Sequence, residues 1–212
     1  MNKFFQELRE KVQPLFIKGG SHSFDHTERV YNIAMHLAKK EKVDLDILQA
    51  ACLLHDIARM KEDNKECCCH AEEGAIMAKK VLEETSFPKE KIDKVTYAIR
   101  IHRHSKGIKA ATKEAEILQD ADRLDALGAI TIARMFSSGG EIGIPIYNPN
   151  IPIGEKGKDY DSHSTIHGFH QKILKLKPEL FNTEEAKKIA VGRYKYVEEF
   201  LDRFMKEWEG KV

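Results

Sequence analysis

Apolar positions recur three and four residues apart along almost the whole chain, and no convincing period-two alternation interrupts them. The pattern predicts helices throughout. A first amphipathic segment runs from Lys3 to Val12 and stops near Pro14; Gly19 to Ser23 reads as a loop. A second helix starts at Asp25, with Val30, Ile33, Ala34, Leu37 and Ala38 along one side. Asp44 stands where a cap is needed for a third helix, whose core face runs through Leu45, Leu48, Ala51, Cys52 and Ala58 and which carries His55 and Asp56. Lys61 to Lys65 reads as a polar turn. His70 opens a helix to about Thr85, and Pro88 suits the first turn of the next, which reaches His102 and His104. Glu114 to Phe136 reads as one long helix with Leu118, Ala121, Leu124, Gly128 and Ile132 on one face. A short helix comes next, from Ser164 to Leu176. Asn182, with Glu185 three residues on, has the form of a capping box for a last helix ending near Trp208.

These elements predict an all-α protein: a single-domain helical bundle over residues 1–212, with a core at about 20–137, a loop at 138–162 and C-terminal helices at 163–210. The stretch Ser137 to Ser162 collects five of the chain's thirteen glycines together with prolines. Connections of that length are uncommon in compact domains and often functional, so the segment, with Tyr147 and Tyr160, is a candidate lid as well as an ordinary surface loop.

Composition narrows the setting. Of the 212 residues, 42% are hydrophobic and 33% charged, a globular profile with material for a sizeable core. A formal net charge of +1 gives no overall field for nucleic acid or a membrane surface. Neither a bilayer-spanning run nor a signal segment stands out, and a cytoplasmic location is expected. Four cysteines, three of them consecutive (Cys67, Cys68, Cys69), make no disulfide framework. With His70 they also make a poor tetrahedral zinc site, because consecutive side chains diverge.

The chemistry concentrates where polar groups interrupt apolar ones. In Leu53-Leu54-His55-Asp56-Ile57-Ala58 a histidine and an aspartate sit side by side in a core-facing run. Such groups are costly to bury without a partner, and a bound cation satisfies both: the carboxylate supplies charge and the neutral imidazole a lone pair. Adjacent residues on a helix point about 100° apart, so the pair can grip one ion or the carboxylate can bridge two. Similar groups recur on other predicted helices: His26 near the start of the second, His70 at the head of another, His102 at the end of the next, and Asp122 within Gln119-Asp120-Ala121-Asp122-Arg123-Leu124. Each alone reads as a hydrogen-bonded core residue. Asp120 and Asp125 read as solvent-facing helix charges, and His36 and His163 as structural or exposed. Together the set has the form of a bundle metal site, built from side chains on facing helices.

Asp25-His26-x-x-Arg29-Val30, Leu54-His55-Asp56-Ile57, and Asp120 to Ile130 resemble the HD superfamily of metal-dependent phosphohydrolases, in particular its small stand-alone bacterial members. The resemblance extends through Lys172 to Leu176 and Asn182-Thr183 to Glu207-Trp208, roughly residues 20 to 210. It implies that His26, His55, Asp56 and Asp122 ligate one divalent cation. Some branches hold a second, and His70 and His102 match the added positions, with His104 competing for the role of His102; Asp56 is then the bridge. Where relatives carry a histidine directly before the position of Phe169, this chain has Gly168, flanked by His167 and His170.

Nitrogen and carboxylate donors without thiolate suit manganese, iron, nickel, magnesium or zinc, one or two ions per chain. The implied reaction is hydrolysis of a phosphate ester or anhydride, nucleotides being the expected substrate class, by metal-activated water with Asp56 and Arg29 as the catalytic pair. Arg29, one turn from His26, is the first candidate for the substrate phosphate. Arg103, Arg123, Lys61 and Lys65 are further candidates. The alternative is a non-catalytic HD domain that senses a nucleotide or a metal. A homodimer through an exposed helix face is compatible with the sequence, and no partner membrane or nucleic acid is expected.

Overall fold

A computed structural model describes residues 3–16, 23–153 and 164–212. The predicted Gly19–Ser23 loop, apart from Ser23, and Tyr160 and His163 lie outside these residues. Among those described the chain is helical and contains no strand. It divides into two compact units, residues 1–122 and 123–212.

The first unit contains α1 (Lys3–Val12), α2 (Phe24–Ala38), α3 (Leu45–Leu54), the short α4 (Arg59–Asp63), α5 (His70–Glu83), α6 (Lys89–Ile101) and most of α7 (Lys113–Asp125). At its centre is α3, which packs against α1, α2 and α6. Its residues Ile47, Leu48 and Ala50 to Leu54 are all buried, and each large apolar side chain so placed stabilises the fold by about 1.5–3 kcal/mol relative to exposure. Leu45, expected on the core face, is 49% exposed. Asp44 caps the helix as predicted, its carboxylate accepting the amides of Asp46 and Ile47. The same cap gathers two other helices. Lys91 of α6 lies 2.9 Å from Asp44 and 2.7 Å from Asp46, and Glu114 of α7 accepts the Asp44 amide at 2.8 Å. At the other end of α6, Gln119 of α7 donates to the carbonyls of Ile101 and Ile108, at 2.8 and 2.9 Å. Polar contacts at both ends thus set α7 against the two helices that end at the histidines.

α3 ends at Leu54, with His55 as its C-cap, so the His-Asp pair stands on the turn that leaves the helix rather than within it. Its backbone remains close to helical, with φ −59° and ψ −37° at His55. Of the expected turn Lys61 to Lys65, the first three residues belong to α4, and Lys65 takes the left-handed conformation with φ +61°. Against the turn stands α5: a Cβ added at Gly74 would lie 3.3 Å from the His55 carbonyl oxygen and 3.6 Å from Ile99, so a glycine there allows the close approach. Asp120 and Asp125, read as solvent-facing, are buried.

The second unit holds α8 (Ala129–Glu141), α9 (Thr165–Gln171) and α10 (Glu184–Trp208). The expected long helix from Glu114 to Phe136 is two helices, α7 and α8, parted at Gly128, whose φ of +85° and ψ of −155° only glycine adopts readily. A Cβ there would also meet the Arg193 side chain at 3.2 Å. Apolar periodicity runs through the break although the buried residues of α8 are Thr131 and Gly139. Replacing Gly128 by alanine is therefore expected to lower stability by about 1–3 kcal/mol, read as a fall in melting temperature. Arg193 donates to the Leu124 carbonyl at 2.6 Å, and Arg134 pairs with Asp125 at 2.7 Å.

The expected loop from Ser137 is helical to Glu141, and the segment beyond that helix is tethered: the amides of Thr165 and Ile166 donate to the carbonyls of Pro145 and Ile146. Tyr147, the described half of the candidate lid, stacks on His167 at 5.7 Å and meets Trp208 edge-on at 5.2 Å. The expected helix Ser164–Leu176 is α9 followed by a 3₁₀ turn. Thr183, rather than Asn182, caps α10, its hydroxyl accepting the Ala186 amide.

Candidate metal centre

Five elements of the first unit each bring a histidine or an aspartate to one place. His26 lies in the opening turn of α2, His55 and Asp56 leave the end of α3, His70 is the first residue of α5, His102 caps the end of α6, and Asp122 lies in α7. Placing most of these groups at helix ends frees their side chains from the helix surface and lets them meet head-on. His26, His55, Asp56, His70 and His102 are all buried, while the Asp122 side chain keeps 25% of its surface and so is the most open of the six.

Asp56 occupies the middle. Its Oδ2 faces His26 Nε2 at 3.7 Å and His55 Nε2 at 3.9 Å, and its Oδ1 faces His70 Nε2 at 3.3 Å and His102 Nε2 at 3.5 Å. His26 and His55 bring their Nε2 atoms within 3.3 Å of each other, as do His70 and His102. Asp122 Oδ1 lies 3.4 Å from His26 Nε2. The arrangement is two three-residue groups, His26–His55–Asp56 and Asp56–His70–His102, that share one carboxylate.

The far side of each ring decides what the near side offers. His55 Nδ1 meets the Cys52 carbonyl at 2.8 Å, His102 Nδ1 the Ile99 carbonyl at 2.6 Å, and His70 Nδ1 the Glu62 carboxylate at 2.6 Å. These partners only accept, so each Nδ1 donates, and a ring in its neutral form turns an Nε2 lone pair toward Asp56; burial would lower the His102 imidazole, but contact with Asp56 raises it. Burial pushes the His55 imidazole down to about 4, against the pull of Asp56, and keeps it neutral. Burial would raise both aspartates. The neighbouring His55, His102 and His26 instead hold the Asp56 carboxyl well below the usual carboxylate range, and contact with His26 brings Asp122 to about 2.

Acceptor atoms facing one another at such range repel unless a cation stands among them. Two ligands each about 2.1 Å from an ion lie about 3.0–3.5 Å apart at common coordination angles, close to the spacings seen here. The donor set therefore fits divalent cations.

The remaining predicted residues fall differently. Arg29 is half-buried on α2, one turn after His26. Lys61 pairs with Glu73 at 2.7 Å, and Lys65 is exposed at its left-handed turn. Arg103 is engaged by Glu62 at 2.9 Å. Arg123 is buried and donates to the Leu180 carbonyl at 2.8 Å. His102, not the competing His104, is the histidine that reaches Asp56. His167 is buried between Ser164 Oγ and the Ile151 carbonyl, a structural role within the second unit. Among the described residues no group able to hold a metal includes a cysteine.

Glu62 went unforeseen. Burial would raise its carboxyl, yet the His70 amide and imidazole and Arg103 hold it at about 2. Its eight-residue separation from His70 spans a turn between two helices and carries no local signal.

A centre of this donor set in an all-α fold defines a class, and the comparisons agree. Residues 23–127 match the HD domain family, and the chain belongs to it. It is 30% identical to the uncharacterized protein YpgQ of Bacillus subtilis (strain 168), over 97% of this chain and 94% of that protein. It is 34% identical to an HD-superfamily hydrolase of Bacillus thuringiensis, whose crystal structure superimposes with a TM-score of 0.74 over 97% of this chain and 98% of that one. The crystal structure of YpgQ in complex with ADP aligns with a TM-score of 0.72 at 26% identity, over 98% of this chain and 100% of that one. None of the helices among the described residues is long and apolar enough to cross a membrane.

Proposed function

We propose that this protein is a metal-dependent phosphohydrolase that cleaves a phosphate ester or anhydride of a nucleotide. The observation that carries the proposal is Asp56, one carboxylate whose two oxygens each face a separate pair of imidazole nitrogens. In this reading His26, His55, Asp56 and Asp122 would hold one divalent cation, and Asp56, His70 and His102 would hold a second. When bound, such ions lower the pKa of water and offset the charge of phosphoryl oxygens. The chain's own contribution is to keep these donors charged or lone-pair-bearing, buried and already aimed, so that little reorganisation is needed. Arg29, on the same helix as His26, is the guanidinium assigned to the substrate phosphate, where a planar fork matches two oxygens. The YpgQ–ADP complex supports a nucleotide as the ligand class.

A screen of nucleoside mono-, di- and triphosphates with Mn²⁺ or Mg²⁺, reading orthophosphate and pyrophosphate, tests the proposal. Release that stops with a chelator and returns with added metal is expected. Metal-loaded protein that binds a nucleotide yet releases neither product across all three classes would establish the sensor alternative instead.

A further inference from the structure

His55 and His102 are held by their own helices. Each stands at a C-cap, where the carbonyl three residues back accepts Nδ1–H; at His102 the same Ile99 carbonyl also takes the His102 amide, at 3.4 Å. His70 stands at the opposite kind of end. As the first residue of α5 it has only N–H donors around it, and a helix N-terminus has no free carbonyl to offer an imidazole. Its acceptor must come from elsewhere, and Glu62 supplies it.

One oxygen of Glu62 takes both polar hydrogens of His70, the backbone amide at 2.5 Å and Nδ1–H at 2.6 Å. Arg59 Nη1 lies farther from Nδ1, at 3.4 Å. The same carboxylate accepts Arg103 Nη1, at 2.9 Å to one oxygen and 3.1 Å to the other. Arg103 directly follows His102. Both histidines facing Asp56 Oδ1 are thereby tied, one directly and one through its neighbour, to a single carboxylate on α4.

We infer that Glu62 is the positioning residue of the second cation site: by tying down His70 and the end of α6 it decides whether the centre holds two ions or one. The inference rests on the two-cation reading of the proposed function. A carboxylate on the distal nitrogen fixes the tautomer, orients the ring and strengthens the imidazole as a ligand, and losing such a partner commonly costs about 10- to 100-fold in metal affinity. Glu62 bonds His70 and Arg103, which lie outside the group His26, His55 and Asp56, so the affinity of that group should be spared.

The test is a Mn²⁺ titration of the chelator-stripped full chain by calorimetry, together with the electron paramagnetic resonance signal of an exchange-coupled manganese pair. Wild type is expected to bind two ions and to show the coupled signal. Glu62→Ala should bind the first ion as wild type does and the second about 10- to 100-fold more weakly. Its coupled signal should be absent at two equivalents and return in excess Mn²⁺. Glu62→Gln, which keeps an acceptor oxygen without the charge, should fall between the two and carries the test if the alanine variant fails to fold. Wild type binding two ions while both variants match it would overturn the role of Glu62 alone. Equal weakening of both sites would also overturn it, making Glu62 a general element of the fold. A wild type that binds fewer than two ions would overturn the two-cation reading itself, and the inference with it.

Discussion

Replacing Asp56 by asparagine is expected to lower turnover by at least about 1000-fold and to cost the protein at least one metal ion. The substitution keeps the shape and removes one charge, but that charge serves both halves of the centre. The pair His70–His102 would be left with no carboxylate ligand at all, and the pair His26–His55 with Asp122 alone. Metal ions contribute several kcal/mol to such reactions and each 1.36 kcal/mol is tenfold in rate, so about three decades is a conservative expectation. Metal analysis of the variant should show at most one ion per chain where the proposed function expects two in wild type. Full turnover with unchanged metal content in D56N would remove the basis of the proposed function. The metal-free proteins should melt at similar temperatures, which separates loss of the site from loss of the fold.

The second large effect concerns the element that places this site. Leu54, the last residue of α3, is fully buried and immediately precedes His55. Leu54→Ala removes a side chain from the packed centre and leaves a cavity, at a cost of about 3–5 kcal/mol in comparable cores. For a chain of this size about 2–4 °C of melting temperature goes with each kcal/mol, so a drop of roughly 6–20 °C is expected. Saturating Mn²⁺ should raise the melting temperature of L54A and of wild type by similar amounts, because ligand binding to the folded state stabilises by mass action. A variant that lost the metal-induced rise would show that the packing behind His55 also shapes the site, and one that melted within about 2 °C of wild type would contradict the central place given to α3.

Helix periodicity was legible from residue types alone: α1 and its stop near Pro14, the Asp44 cap, the start of α5 at His70 and the long final helix all follow local rules that operate within a few residues. Residue types are a poorer guide where two local solutions lie close in energy. Asn182 and Thr183 are both good caps, and the threonine is used. The face that Leu124 and Ile132 share in a continuous wheel is cut at Gly128, because apolar spacing is silent about one positive φ between them.

Site chemistry divided along the same line. A histidine and an aspartate within an apolar run announce a cost that some partner must meet, so His55 and Asp56 stood out from the order of residues, whereas His26, His70, His102 and Asp122 gained weight only as a set and through the resemblance. Their meeting around Asp56 could not, since it depends on how α2, α3, α5, α6 and α7 pack, across as many as 96 positions of chain between His26 and Asp122. Tertiary structure also settled where each charge is spent. It buried Arg123 against a carbonyl, engaged Arg103 and Lys61 with carboxylates, hid Asp120, and brought Glu62 to His70. Linear order encodes periodicity and caps because those are interactions of neighbours, whereas hydrogen bonds of long side chains form only after packing has decided which distant groups come within about 3 Å.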